Sequence, residues 1–378
     1  MNIAFIENID QLSGEALERR LGETLRTLLA GPAWLGNWQV EVVRSGVWDL
    51  LASGPLPAGG RAQLCVEVKK HFAPSQFQSL AGRPCDSQDA IGLRALAMVH
   101  VSPRLAELCN EHGWSWFDLA GNCRLEIPGA LLIERSGNAI AGGTSRRRAS
   151  LGSEEAGLVV RALLATANAG RRWTQRSVVG HFSELPTLTP EPSLSLVNKV
   201  VQHLRREAFL EELPDRGFRV RDYEGLLKAW TTDYRPDSYV RRAWFTLLRG
   251  RALSERLASL EDDRETKDRA LYAAFSAAEI QAPAVRQPRT WLMVDPFGET
   301  RVREALEATA VDSGDNIVVL LPNHPGPFYW PDAGAGRLPC TNPVQTYVDL
   351  AHLGGRGEEA AAAILEQCLT LAWKQGQS

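Results

Sequence analysis

The clearest hydrophobic pattern in the chain is an amphipathic segment near its middle, which begins at Ser193. A serine hydroxyl here can accept hydrogen bonds from the free N–H groups of a first helical turn, so Ser193 predicts the start of a helix. Apolar residues then recur at the spacing of one helical face, at Leu194, Val197, Val200, Val201 and Leu204. This face predicts burial against a core.

The opposite face of the same helix is polar and cationic. Its side chains are those that hydrogen-bond to phosphates and base edges, so they are candidate DNA contacts. With the capping serine, the candidates are Ser193, Ser195, Asn198, Lys199, Gln202, Arg205 and Arg206. Solvated charges on any small helical domain would give a similar pattern, and such domains also bind proteins.

The flanking residues predict a winged helix-turn-helix over residues 153–222. Two amphipathic helices precede the basic one, from Glu154 to Ala167 and from Thr174 to Phe182. Ser153 would cap the first and Thr174 the second. Downstream, apolar runs on both sides of Pro214-Asp215-Arg216 predict a β-hairpin, the wing, which would carry Arg216 and Arg219. The turn over 183–192 is longer than is usual in such motifs. The order of elements favours binding to duplex DNA.

Residues 1–136 predict a sheet-bearing domain. Strands interspersed with helices are typical of an α/β or α+β sandwich. The predicted elements are a helix at 15–30, strands at 38–44, 47–52, 63–69 and 95–101, a helix at 104–112, and strands near Trp116, Arg124 and Leu132.

Residues 137–152 are rich in Gly, Ser and Arg, which predicts an exposed linker between domains. Its cations Arg146, Arg147 and Arg148 could follow a phosphate backbone. From 146 to 222 the chain carries thirteen Lys and Arg and nine Asp and Glu, although the net charge of the whole chain is -3. The local excess of positive charge agrees with a DNA-binding segment.

The remaining segment, 223–378, predicts helices followed by a mixed α/β unit. Apolar strands at 291–295 and 316–321, separated by a helix at 299–310, would form a parallel pair. The other predicted helices are at 224–232, 238–259, about 266–280 and about 358–374. For the whole chain we therefore expect a mixed α/β (α+β) fold with an N-terminal sheet domain, a central winged helix-turn-helix and a C-terminal α/β domain.

Composition narrows the class of protein. The 378 residues are 44% hydrophobic and 23% charged, which is typical of globular domains. No apolar run approaches the roughly 18 residues needed to cross a bilayer, and the N-terminus lacks the pattern of a secretory signal, so we expect a cytoplasmic protein without a membrane partner. The six cysteines form no C-x-x-C pair, and we expect them to be buried, reduced thiols.

One group of residues in the sheet domain is a candidate catalytic site. In the strand Cys65-Val66-Glu67-Val68-Lys69, alternation places Glu67 and Lys69 on one face, and Asp49 lies on the preceding strand. If the two strands pair, Asp49 and Glu67 could hold Mg²⁺ while Lys69 orients a water, an arrangement suited to metal-assisted phosphodiester cleavage. The alternative is a half-exposed strand with solvated charges and no cofactor.

Asp49 together with Glu67-Val68-Lys69 resembles the acidic motifs of the PD-(D/E)xK nuclease superfamily. The resemblance spans about the first 135 residues and implies a restriction-endonuclease-like sheet domain. Trp48 stands where that pattern usually has a proline.

Further segments resemble AbiEi-type antitoxins and regulators. They are Ser102-Pro103-Arg104-Leu105, the run from Gly113 to Arg124, the run from Asn342 to Leu350, and the run from Gly355 to Ala360. The resemblance implies a winged helix that binds operator DNA and, as partner, a nucleotidyltransferase-type toxin of a type IV toxin–antitoxin pair.

Three functions therefore stay open. The chain could be a DNA-binding transcriptional regulator, a Mg²⁺-dependent DNA endonuclease directed by the winged helix, or a protein-interaction module that neutralises a toxin. Winged helices often act as dimers, so a homodimer is an expectation as well.

Overall fold

The computed structural model describes residues 13–32, 35, 37–43, 46–57, 59–85, 90–127, 129, 131–138, 151–183, 191–234, 239–260, 269–332 and 337–377. The chain divides into two compact units, Met1–Arg148 and Ala149–Ser378. Both units combine helices with β-sheets, so the predicted mixed α/β fold class is confirmed.

The first unit is built on a sheet that, in the described part of the chain, has seven strands in the order in which they occur in the sequence. Strands β3, β4 and β5 run parallel to one another, and the other neighbours are antiparallel. The elements are α1 (Gly14–Ala30), β1 (Gln39–Val42), β2 (Leu50–Pro55), β3 (Arg61–Lys69), α2 (Gln78–Ala81), β4 (Ile91–Met98), α3 (Pro103–Glu111), β5 (Ser115–Asp118), β6 (Cys123–Ile127) and β7 (Leu131–Arg135).

Helices cover both faces of this sheet. Leucines of α1 pack with Leu64 and Val66 of β3 in one core cluster. Cys65 belongs to a second cluster, which includes residues of α2 and α3. Neighbouring residues of β3 therefore face opposite cores, as the predicted period of two requires.

Two of the six cysteines differ from the expectation that all are reduced. Cys65 and Cys85 form a disulfide, with their Cα atoms 6.0 Å apart. The expectation was wrong for this pair because the two residues are 20 positions apart in the sequence and meet only when the segment after α2 folds back on β3. Cys109, Cys123, Cys340 and Cys368 are free.

Among its described residues, the second unit begins with three α-helices and a hairpin: α4 (Glu154–Leu164), α5 (Gln175–Ser183), α6 (Leu194–Arg206), β8 (Leu210–Glu212) and β9 (Phe218–Val220). The hydroxyls of Ser153 and Ser193 accept hydrogen bonds from the first turns of α4 and α6, as predicted. Thr174 does the same for α5. We call residues 153–222 the helix–hairpin segment.

The rest of the second unit contains another sheet, which has five strands among the described residues, in the order β11-β12-β14-β10-β13. Strands β12 and β14 pair in parallel, as the sequence predicts. The elements are α7 (Tyr223–Asp233), β10 (Val240–Phe245), α8 (Gly250–Ala258), β11 (Ala270–Tyr272), α9 (Ala274–Gln281), β12 (Thr290–Val294), α10 (Glu299–Ala305), β13 (Thr309–Ala310), β14 (Ile317–Leu321), α11 (Pro343–Ala351), α12 (Arg356–Ile364) and α13 (Leu371–Gln377). A π-helical turn at Leu365–Thr370 joins the last two helices.

Three predicted helices were wrong in part. The helix predicted at 299–310 ends at Ala305, and Thr309–Ala310 form strand β13, which pairs with β10. Residues 238–259 contain strand β10 and then helix α8, and β10 exists because its backbone pairs with β14, which is distant in the sequence. Within 266–280, β11 pairs with β12 before α9 begins. Long-range pairing thus overrides the local helical pattern at all three places.

The helix–hairpin segment and the C-terminal residues contribute to one core. Val201 of α6, Phe182 of α5 and Phe218 of β9 belong to the same buried cluster as Val348 of α11 and Trp373 of α13. The core fixes the buried face of α6, so its opposite face is left to solvent.

Candidate functional site

Helix α6 buries its apolar face and exposes its polar face. Val197, Val200, Val201 and Leu204 are buried, as predicted, while Leu194 is 46% exposed. The predicted contacts Ser193, Ser195, Asn198, Lys199, Gln202 and Arg206 are all exposed. The structure therefore brings these side chains together on one accessible surface, which we call the α6 face.

Arg205 differs from the other predicted contacts. Its side chain is 22% exposed, its Nε lies 3.3 Å from Glu212 Oε1, and its guanidinium lies over the ring of Phe218. Glu212 and Phe218 belong to the hairpin, so Arg205 joins α6 to β8 and β9. The ion pair and the ring contact hold the guanidinium against the hairpin, although Arg205 Nε has no hydrogen-bond partner among the described residues.

Asn198 is oriented by Gln175, a residue outside the predicted contacts. The Gln175 side-chain amide of α5 donates a hydrogen bond of 2.9 Å to Asn198 Oδ1. With its oxygen engaged, Asn198 offers its own N–H groups to a ligand. This contact has no local signal in the sequence, because it depends on how α5 packs against α6.

Three further arginines belong to this surface, two on the hairpin and one just before α5. Arg219 pairs with Glu211 across the strands, with Nε and Oε2 2.6 Å apart, and this hydrogen bond lowers the pKa of Glu211. Arg172, just before α5, pairs with Asp215 at the hairpin turn. Arg216 lies at the exposed tip of the turn with a positive φ of 62°, in the left-handed region that a tight turn requires.

Cationic charge on this surface is therefore only partly neutralised. Among the described residues, Lys199, Arg206 and Arg216 take part in no ion pair, while Arg172, Arg205 and Arg219 each have a carboxylate partner. The predicted contacts Arg146, Arg147 and Arg148 lie outside the described residues. The surface offers hydrogen-bond donors and positive charge to a polyanion.

The first unit brings the predicted carboxylates to adjacent strands. Leu50 of β2 pairs with Val66 of β3 in an antiparallel register. Asp49, the residue before Leu50, therefore lies opposite Glu67, the residue after Val66. The Val68 N–H donates a hydrogen bond of 2.7 Å to Asp49 Oδ2, and the Lys69 ammonium is 2.5 Å from Glu67 Oε1. Asp49, Glu67 and Lys69 therefore lie together, as the sequence predicts.

Two further residues of this carboxylate site were not selected from the sequence. Arg83, after α2, forms an ion pair with the second oxygen of the buried Glu67. Burial, and next the nearby carboxylate of Asp49, raises the pKa of Glu18 on α1, so that this helix contributes negative charge close to Asp49. Neither contact has a local signal, because both join segments that are distant in the sequence.

The residues of the carboxylate site meet only some of the requirements for binding a divalent cation. Carboxylate oxygens are the ligands that Mg²⁺ prefers, and two of them with water and phosphate oxygens can hold it. The described residues contain no group of three or more His, Cys, Asp or Glu side chains arranged to hold a metal ion. Asp49 and Glu67 would therefore supply the protein ligands, and Glu67 already has two cationic partners.

A buried polar network lies in the second unit. Arg161 of α4 donates from Nε to Gln345 Oε1 of α11 at 2.8 Å, and Gln345 Nε2 donates in turn to Asp349 Oδ1 at 2.8 Å. The hydroxyl of Tyr234 donates to the same Asp349 oxygen, and the Arg161 guanidinium lies over the ring of Trp230. The network joins the first helix of the helix–hairpin segment to α11.

Burial changes the proton affinity of this network. It raises the pKa of Asp349 from 3.8 to about 7 and lowers the pKa of the neighbouring His324 to about 3. Both shifts have the same cause, because a charged form loses the solvation that water would supply. The network is enclosed within the core, so we assign it a structural role.

Among the comparisons with known proteins, the one with family models gives a match, which lies in the second unit. The comparison with curated proteins found no match, and neither did the comparison with solved structures. In the described part of the chain, no helix is both long and apolar enough to cross a membrane.

One family model matches, over residues 219–370, and its description is "Transcriptional regulator, AbiEi antitoxin, Type IV TA system". The match includes the runs at 342–350 and 355–360 on which the expected resemblance rested, and it leaves out the run at 113–124. The segment from β9 through the π-helical turn is therefore similar to the AbiEi family of antitoxins and transcriptional regulators.

Proposed function

We propose that this protein is a sequence-specific DNA-binding transcriptional regulator of AbiEi type, and that the helix–hairpin segment acts as a winged helix-turn-helix. The observation that carries the proposal is the α6 face, on which Lys199 and Arg206 are exposed beside Asn198. The family match over 219–370 supports a regulatory role independently.

Each residue of the α6 face has a role set by its chemistry. Ser195 and Asn198, which are short and polar, would read base edges in the major groove, with Gln175 holding the Asn198 amide. Lys199 and Arg206 would contact phosphates. The Ser193 end of α6 would face the backbone, because the N-terminus of a helix carries partial positive charge.

The salt dependence of binding tests the phosphate contacts. In a fluorescence-anisotropy titration with the upstream region of the protein's own gene, log K should fall less steeply with log salt in Lys199→Ala and in Arg206→Ala, with the magnitude of the slope reduced by about 0.9 in each. Arg251→Ala is the matched control, since Arg251 of α8 is 91% exposed and lies outside the proposed interface. Equal slopes for all these variants and the wild type would exclude this surface as the DNA-binding site.

A second titration tests base recognition. Asn198→Ala should cost about 1–3 kcal/mol of binding to the operator and leave binding to unrelated DNA unchanged. Gln175→Ala should change specificity in the same direction, because it releases Asn198. A uniform loss on both DNAs would show that Asn198 contacts the backbone instead of bases.

The carboxylate site supports a second candidate function, a Mg²⁺-dependent DNA endonuclease of the PD-(D/E)xK type. The supporting observation is the placement of Asp49 opposite Glu67, with Lys69 2.5 Å from Glu67. Asp49 and Glu67 would hold Mg²⁺, which would polarise a phosphate and activate water, and Lys69 would orient that water.

Cleavage assays test this second function directly. Plasmid, linear duplex, branched and single-stranded DNA should be cleaved with Mg²⁺, and cleavage should be lost in Glu67→Gln and in chelator. Glu126→Gln, at an exposed position on β6, is the control. Cleavage that persists in Glu67→Gln, or no metal-dependent cleavage of any of these substrates, would remove the nuclease proposal.

The family description supports a third proposal, that the protein counteracts a nucleotidyltransferase-type toxin. Co-expression with a nucleotidyltransferase-like protein encoded beside it should restore growth. Rescue by a Lys199→Ala, Arg206→Ala double variant would separate neutralisation from DNA binding. Sedimentation of the free protein and of its operator complex would test the expected homodimer.

A further inference from the structure

The segment that follows α2 is attached to β3 beside the carboxylate site. Cys85 forms a disulfide with Cys65, which lies on β3 two residues before Glu67. The backbone at Cys85 also rests directly on β4, because a Cβ atom at Gly92 would come within 1.9 Å of the Cys85 carbonyl oxygen. The disulfide and the glycine together fix the course of this segment over the sheet.

Arg83 is held over Glu67 by this attachment. It precedes Cys85 by two residues, and its guanidinium forms an ion pair with Glu67. It also donates a hydrogen bond of 3.3 Å to the Val47 carbonyl and lies 5.8 Å from the centre of the Trp48 ring. Arg83 therefore contacts the residues just before Asp49 and occupies an oxygen of Glu67 that a cation would need.

We infer that the Cys65–Cys85 disulfide is a redox latch that keeps Arg83 on Glu67 and so keeps a divalent cation away from the carboxylate site. The inference deepens the second proposed function and rests on it for the identity of the site. When the disulfide is reduced, no covalent bond joins the segment to β3, and non-covalent contacts remain: the ion pair of the 35% exposed Arg83 with Glu67, its hydrogen bond to the Val47 carbonyl, and the packing of Cys85 on Gly92. Arg83 can then leave Glu67.

Reduction requires a dithiol, for example a small dithiol or a protein with a reactive cysteine pair. Its thiolate attacks Cys85 Sγ, because Cys85 is half-buried whereas Cys65 is only 2% exposed. Cys65 leaves as a thiolate and takes up a proton. The second thiol of the reductant then displaces Cys85 from the mixed disulfide, so that two electrons and two protons reach the protein and the reductant becomes a disulfide.

Binding of Mn²⁺, followed by electron paramagnetic resonance on the full chain, tests the latch. Protein would be compared before and after reduction by a dithiol that is then removed under nitrogen. The reduced protein should bind Mn²⁺ at least about tenfold more tightly, because a cationic competitor has left a carboxylate. Glu67→Gln should abolish the gain.

Two variants separate the latch from other effects of the reductant. Cys85→Ser should bind Mn²⁺ as the reduced wild type does and should no longer respond to reductant. Arg83→Gln should bind Mn²⁺ tightly even when the disulfide is intact, because the disulfide acts only through Arg83. Equal Mn²⁺ affinity of the oxidised and reduced wild type, or no binding in either state, would overturn the inference.

Hydrogen exchange gives a second readout that needs no variant. Reduction should speed exchange in the segment after α2 and leave α1 unchanged, whereas a uniform increase over the whole unit would mean loss of folding and would also overturn the latch. Failure of the nuclease proposal is distinguishable. If the reduced protein binds Mn²⁺ tightly and cleaves no DNA, the latch stands and the nuclease function falls.

Discussion

The buried carboxyl group of Asp349 should make the stability of the second unit depend on pH. Asp349 is 3% exposed, and burial raises the pKa of its carboxyl group from 3.8 to about 7. The pKa is raised even though Gln345 and Tyr234 donate hydrogen bonds to Oδ1. The other oxygen, Oδ2, has no hydrogen-bond partner among the described residues. Ionised Asp349 therefore lacks sufficient compensation for the loss of water.

The sign of the effect follows from proton binding. Between about pH 4 and pH 7 the folded protein holds a proton on Asp349 that the unfolded chain has lost, so stability falls as pH rises through this window. A tenfold change in proton affinity is about 1.4 kcal/mol, and the rise in pKa therefore corresponds to at most about 4 kcal/mol. Above pH 7 this cost is constant.

The variant Asp349→Asn tests this account. Asparagine has nearly the same shape as the protonated acid, so the variant should match the wild type near pH 4 and become more stable than it by up to about 4 kcal/mol at pH 8. His324, whose pKa burial lowers to about 3, contributes the opposite slope in both proteins and cancels in the difference. Asp312→Asn, at an exposed position, is the control for surface charge.

Urea unfolding at several pH values measures the effect, with hydrogen exchange in α11 identifying the transition of the second unit. The slope of free energy against urea should be the same in both proteins. A difference that does not change with pH, or a variant that is progressively less stable above pH 6, would refute the reasoning. Either result would mean that Arg161, which contacts the network through Gln345, keeps Asp349 ionised.

Two more predictions concern the packing of the second unit. Leu204→Ala, at a fully buried position of α6, should lower the free energy of unfolding by about 2–5 kcal/mol, whereas Leu194→Ala on the exposed side should change it by less than about 0.5 kcal/mol in the same urea titration. Gly170→Ala should destabilise the unit by more than about 2 kcal/mol, since Gly170 has a φ of 70° and a Cβ would lie 1.7 Å from the Gly376 carbonyl oxygen. Gly180→Ala in α5, where a Cβ meets no atom within 4 Å, should be neutral or stabilising in thermal unfolding, and a large loss there would contradict the packing described.

Several elements were predictable because their causes are local. Ser193 caps α6 and the apolar spacing that follows it is buried as expected. The alternation in β3 places Cys65 and Val66 in different core clusters. By contrast, residues 240–245 have no strong alternation, and only Trp244 among them is buried, so strand β10 could not be distinguished from a helix.

The candidate sites were predictable as sets of residues and not as arrangements. The exposed positions of α6 follow from helical periodicity, but the Gln175–Asn198 hydrogen bond depends on how α5 packs on α6. Asp49 and Glu67 meet through the register of one antiparallel pair of neighbouring strands, β2 and β3. Arg83 reaches Glu67 from a segment for which no pattern indicated an approach to β3.

The amino-acid sequence by itself determined where α6 begins, which of its faces is polar, and which residues of β3 share a face, because capping and periodicity depend on near neighbours. The tertiary structure decided which charges are already paired, which cysteines are joined, and which carboxyl group is deprived of water. Arg205 with Glu212, Cys65 with Cys85, and Asp349 in its network all depend on contacts between elements. Electrostatic and covalent interactions act over a few ångströms in space, and that proximity exists only once the chain has folded.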